Sequence, residues 1–299
     1  RVSLPEGPGS LEGIGDNAVG NAALLEVARS LWQVRDRLQR GVRVAWWPGH
    51  STGRYAGSTW YADRFAIELD EHCVAQVNCD SPGCRDAIHY HSIPLMAENE
   101  AHVRAAVADA VGEAASGKRP SQSSDFSFNN LGITGYFSSS SRIPKAEIER
   151  RGYYFVMGNG GNVEWHTDDD LMYVADPDIL LRDLKVYSLA VWRNATAPVL
   201  PYDWRALLAE FRATVAGYAE ASDGAFDFAP SLAAIDALDG ALAQLAQANL
   251  PAAAANDLHL GISRRLVALV RQGRARGVPA LVRPVAPLRG PGLPSCRRS

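Results

Sequence analysis

The stretch VRVAWWPGHSTGRYAGSTWYADRFAIEL, residues 42–69, decides how this chain is read. Its first six residues form an apolar, β-branched run that suits a buried strand. Two glycines then bracket a polar loop, and a helix-forming run leads out. A loop between a buried strand and a helix is where open α/β enzymes place their chemistry. Here the loop offers His50, Ser51 and Thr52, and no carboxylate.

Working outward, residues 17–40 carry Leu24, Val27, Ala28, Leu31, Val34 and Leu38, an apolar stripe at helical spacing. Residues 73–79 and YYFVMG at 153–158 read as further strands. Residues 98–115 read as a helix with Val103, Val107, Ala110 and Val111 on one side, followed by the polar loop SGKRPSQSSD. Strands without clean alternation belong to parallel sheets covered on both faces. The alternation of strand and helix therefore predicts an α/β fold, with a mostly parallel central sheet flanked by helices, over residues 1–200. Beyond APVLPYDW the pattern changes. Three helical stripes, beginning at Trp204, Leu232 and Ile262, predict a small helical domain over residues 201–270. Residues 271–299 hold seven arginines and no acid, and read as an irregular, solvated tail.

Of the 299 residues, 47% are hydrophobic and 21% charged, with a net charge of −3, which points to neither nucleic acid nor an anionic membrane. No apolar run approaches the ~20 residues of a membrane span. The first residues lack the apolar core of a signal peptide, so the expected location is cytoplasmic by default. Four cysteines are too few for a disulfide scaffold. Cys73 and Cys79, on one extended strand, would lie about 20 Å apart. Buried free thiols are expected.

Four polar residues fall at strand ends or helix starts: Asp16, His50, Asp80 and His166. In a parallel sheet the carboxyl ends of the strands face one crevice, where these four could converge. Each also has a plainer role. Asp16 could be a helix cap, Asp80 a turn residue before Ser81-Pro82-Gly83, His166 a surface histidine and His50 a hydrogen-bonded loop residue. Together, two aspartates and a histidine have the chemistry of zinc ligands. Trp165 could wall such a pocket. Arg54, Tyr55 and Arg142 could meet a substrate carboxylate or simply cover the surface. His89 and His91 alternate on one extended face, with no third ligand evident.

The segments GIGDNAVGNAALLEVAR, GRYAGSTWYAD, VNCDS, SDFSFNNLGI and VEWHTDDD, in this order, resemble the co-catalytic zinc exopeptidases: aminopeptidases, glutamate carboxypeptidase and the transferrin receptors. The resemblance runs over residues 12–270, and LPYDWRALLAEF and NDLHLGISRRL look like that family's C-terminal dimerisation domain. It implies one or two zinc ions, with Asp16 as bridging ligand and Asp80 and His166 as further ligands. It also implies a two-fold homodimer and a peptide-like substrate. The chain departs from the family twice. Glu6 stands where an early histidine is expected, and HST replaces the pair of glutamates, one of them the catalytic base. His50 is then the candidate base. The expected function is zinc-dependent hydrolysis of peptide-like amides; the alternative is a non-catalytic member that keeps the fold for binding.

Overall fold

A computed structural model describes residues 12–50, 53–120, 126–137, 139 and 141–269. Glu6, Ser51, Thr52 and the arginine-rich tail lie outside the described residues. The elements are α1 (Val19–Gln33), α2 (Ala56–Arg64), α3 (Ala66–His72), β1 (Gln76–Val77), β2 (Tyr90–Pro94), α4 (Glu100–Val111), β3 (Ala115–Lys118), α5 (Phe126–Asn129) and β4 (Gly135–Tyr136). They continue with α6 (Lys145–Arg151), α7 (Pro177–Thr196), α8 (Trp204–Ala221), α9 (Ala229–Gln247) and α10 (Ala252–Leu266).

Helix α7 is the spine. Asp176 caps it by accepting from the backbone N–H groups of Asp178 and Ile179, and Pro177 presets the first helical residue. Its buried face, with Val186, Tyr187 and Ala190, packs against Val27 and Leu31 of α1 and Val103 and Val107 of α4. Helix α4 ends at Gly112, whose φ of 72° is the left-handed conformation that glycine supplies at a helix end.

The fold is mixed helical with small parallel sheets rather than one central sheet. β1 pairs with β4 and β2 with β3, both in parallel. An antiparallel bridge between Leu95 and Tyr136 ties the two ribbons together. Two of the expected strands are not strands. Residues 42–47 carry no strand: Val42 and Trp46 are exposed, and Trp47 packs through its side chain instead. Trp47 lies 5.6 Å from Tyr61 and 5.7 Å from Phe128, over Leu69 and Ile133. Residues 153–158 are irregular, with Tyr154, Phe155 and Met157 exposed. The Arg142 guanidinium takes the carbonyls of Val156 and Met157, where a neighbouring strand would otherwise bond. Cys73 follows α3 and does not share a strand with Cys79. Cys73, Cys79 and Cys84 are free, the last two buried.

The three helices expected after residue 200 are present. Trp204, Leu207 and Leu208 of α8 join Met96, Leu242, Leu266 and Val267 in a second core. Arg264 bonds the carbonyls of Leu69, Asp70, Cys73 and Gly132, stitching α10 to the first part of the chain. Helix α9 is poorly covered, with Leu242 its one buried residue. No helix among the described residues is long and apolar enough to cross a membrane.

His102 of α4 is buried between Ala190 and Asn194 of α7. Burial pushes its imidazole down to about 4. The unfolded chain therefore takes up this proton near pH 6.5 while the folded chain resists it. That contribution is complete above pH 6.5 and is lost as pH falls towards 4. Urea unfolding should show about 2 kcal/mol of lost stability at pH 5 relative to pH 7.5, from this group alone. A flat profile across that window contradicts the burial of a neutral His102.

Candidate active site

The site begins at the entrance to α1. The backbone N–H groups of Gly15 and Asp16 donate to the two oxygens of Asp170, at 2.8 and 3.0 Å. This buried carboxylate lies more than 150 residues along the chain and pins the two segments together. The Asn17 side chain makes the second clamp. Its amide nitrogen donates to the Cys79 carbonyl at 2.7 Å, and its oxygen accepts from the Ser81 N–H at 3.0 Å. Asn17 thus grips the residues on either side of Asp80. Ser81 also donates its hydroxyl to Asp80, at 3.0 Å.

These clamps present Asp16 to the loop carrying Trp165 and His166. The Trp165 indole donates to Asp16 Oδ2 at 2.9 Å, and His166 Nε2 lies 2.8 Å from the same oxygen. The two rings stack with centroids 3.9 Å apart. Gly158 permits this, because a Cβ there would stand 2.1 Å from the indole nitrogen. His166 has a φ of 62°, a left-handed conformation costly for a residue with a Cβ.

The electrostatics follow. Burial raises the Asp16 carboxyl, but the hydrogen bond and charge of His166, the Trp165 hydrogen bond and the charge of His50 outweigh it. The net shift is downward, so Asp16 is ionised at neutral pH. Burial lowers the His50 imidazole against the attraction of Asp16, and His166 adds to the lowering. His50 is therefore neutral near pH 7 and able to accept a proton. It packs edge-on against Tyr55, with ring centroids 5.1 Å apart.

The structure thus joins Asp16 to His166 in direct contact and sets His50 within their electrostatic reach. Asp80 is held one residue from the Asn17 clamp on each side. Among the described residues, no three His, Cys, Asp or Glu side chains are gathered tightly enough to hold an ion. Arg54 is exposed, with its guanidinium 5.9 Å from the Tyr55 ring centroid. Arg142 is committed to backbone carbonyls, so its role here is structural rather than substrate binding or surface solvation.

The sequence pattern of peptidase family M28 matches residues 3–188, which include all four of these polar residues. The chain belongs to peptidase family M28. The family match ends within α7, so α8, α9 and α10 lie outside it. Among solved structures, an aminopeptidase from Aneurinibacillus sp. strain AM-1 is similar at 17% identity. It covers 64% of this chain and 41% of its own, with a TM-score of 0.43. LapA of Legionella pneumophila is similar at 17% identity, over 63% of this chain and 49% of its own, with a TM-score of 0.45. The chain therefore spans less than half the length of these two structures. No curated protein matches it.

The cleft depends on residues that local pattern does not single out. Asp170 is the third of three consecutive aspartates and the buried one, whereas Asp168 and Asp169 are exposed. The acidic run was visible, but nothing in it shows which carboxylate turns inward. Zinc, implied by the resemblance to the zinc exopeptidases, finds two suitable donors in contact here. Oδ2 of Asp16 and Nε2 of His166 stand 2.8 Å apart, closer than two tetrahedral ligands of one ion. Such ligands, each about 2.0–2.2 Å from the ion, lie about 3.3–3.5 Å from each other, so the pair would part by about 0.5 Å to share an ion. Those two residues fit zinc; the described residues place no third donor beside them.

Proposed function

We propose that this chain is a metal-assisted hydrolase of peptide-like amide bonds, of aminopeptidase or carboxypeptidase type, working at the Asp16–His166 cleft. The observation that carries the reading is the contact between these two side chains, which meet from segments 150 residues apart. Asp16 and His166 would hold zinc, and Asp80 would complete the set by turning into the cleft. When bound, zinc polarises a scissile carbonyl and makes hydroxide available near neutral pH. The remaining steps belong to the chain. Ionised Asp16 keeps the cleft anionic, and stacked Trp165 walls it and holds His166 in place. Neutral His50 takes the proton of the attacking water and returns it to the leaving amine.

His50→Ala should lower hydrolysis of aminoacyl anilides or dipeptides by about 10²–10⁴-fold, with the fold intact. A zinc-titrated assay of both forms measures it, and equal rates remove the base assignment. The replacement of the glutamate pair by HST favours a second reading, a non-catalytic binding protein. Zinc-independent silence of both forms would select it.

The same proposal includes a two-fold homodimer. Its support is the thin cover of α9 together with exposed Tyr218, Phe226 and Leu258 on the neighbouring elements. Apolar side chains left uncovered in this way are buried by association. Sedimentation equilibrium at micromolar concentration should give twice the chain mass; a clean monomer contradicts the dimer.

A further inference from the structure

We propose that His89 and His91 form a surface chelate for a divalent transition metal of the nickel, copper and zinc class. The two residues flank buried Tyr90 at the start of β2, and alternation along an extended chain sends both side chains to one side. Their imidazole centroids are 5.4 Å apart, with the planes 68° to one another. A tetrahedral ion bound to two imidazoles at about 2.0–2.1 Å sets their ring centres about 5 Å apart. The rings already stand at the separation one ion requires.

The surroundings favour the metal-binding form. His91 Nδ1 lies 3.2 Å from the Ser116 hydroxyl, which the pairing of β2 with β3 brings alongside. With Nδ1–H donating to Ser116, the Nε2 lone pair is left free for an ion. The His89 ring makes no hydrogen bond among the described residues beyond its contact with His91. Two cations flank His89: Arg182, whose guanidinium donates to the Ile88 carbonyl at 2.7 Å and lies over the Tyr90 ring, and Arg142, which exchanges backbone bonds of 3.0 and 2.8 Å with His89. The Arg142 guanidinium is turned away to the carbonyls of Val156 and Met157. His91 is exposed, so water completes the coordination of a bound ion. Two imidazole nitrogens with solvent suit nickel, copper and zinc better than hard cations such as magnesium.

Calorimetric titration of the full chain with nickel ion alone, near pH 7.5, tests this. The chain carries His166→Ala throughout, so that the imidazole of the other candidate centre is absent. One nickel should bind per chain. His89→Ala and His91→Ala should each weaken it by at least about tenfold, and the double variant should bind no more than the weaker single, because a chelate is lost with its first arm. Both positions lie away from the packed core, and circular dichroism checks that each variant is folded. Unchanged affinity in either single variant overturns the chelate. So does independent, additive loss from the two, or no saturable binding up to about 1 mM nickel.

Discussion

Asp183→Ala is expected to cost about 3–5 kcal/mol of stability. Asp183 is fully buried on α7, and among the described residues its carboxylate accepts from three groups. The Gly83 N–H donates at 2.7 Å, the Tyr90 hydroxyl at 2.6 Å and the Ser141 hydroxyl at 2.7 Å. Removing the acceptor leaves three buried donors facing a void, each costing about 1–3 kcal/mol unless it finds a new partner. Asp183→Asn should be milder, at about 1–2 kcal/mol. Its oxygen can still serve Gly83 and Ser141, and the Tyr90 hydroxyl can turn to accept from the amide. Urea unfolding of the three forms at neutral pH measures the series. A loss below about 1 kcal/mol in the alanine form would show that this carboxylate does not organise the core. Gly83 closely follows Asp80, so the same substitution should also loosen the loop that carries a proposed ligand.

What was legible in the sequence divides along a physical line. Helices came through well where an apolar stripe had a single face to bury, as in α1, where Ala23, Val27 and Leu31 are buried at four-residue spacing. The apolar runs at 42–47 and 153–158 misled, because composition does not say whether neighbours or solvent will meet the side chains. Trp47 packs sideways onto Tyr61 and Phe128, while Phe155 is 79% exposed. Asp16 and His166 were found through short motifs at element boundaries, and the structure brings them into contact. Asp170, Asn17 and Asp183 were not found. Each acts on backbone groups or hydroxyls far away in the chain, and no local spacing records such a partner. Arg142 has the sequence context of a surface or substrate-binding residue, yet it stands in for a missing strand.

If Asp16 and His166 are the heart of a metal-assisted site, zinc uptake depends on both. Asp16→Ala removes the oxygen that holds both Trp165 and His166. Loss of that ligand should weaken zinc binding by at least about 100-fold and bring amide hydrolysis to background. Asp16→Asn keeps the side chain's shape and a hydrogen-bonding oxygen but loses the charge, so it separates ligand loss from misfolding. It too should bind zinc poorly, while unfolding at nearly the same urea concentration as the parent. The decisive measurement is equilibrium dialysis of the unmodified chain and Asp16→Asn against buffered zinc, with both proteins shown to be folded. Tight uptake by the unmodified chain, abolished by the substitution, is the result expected of a metal site built on Asp16. Equal zinc uptake by the two proteins, or none by the unmodified chain, would contradict such a site.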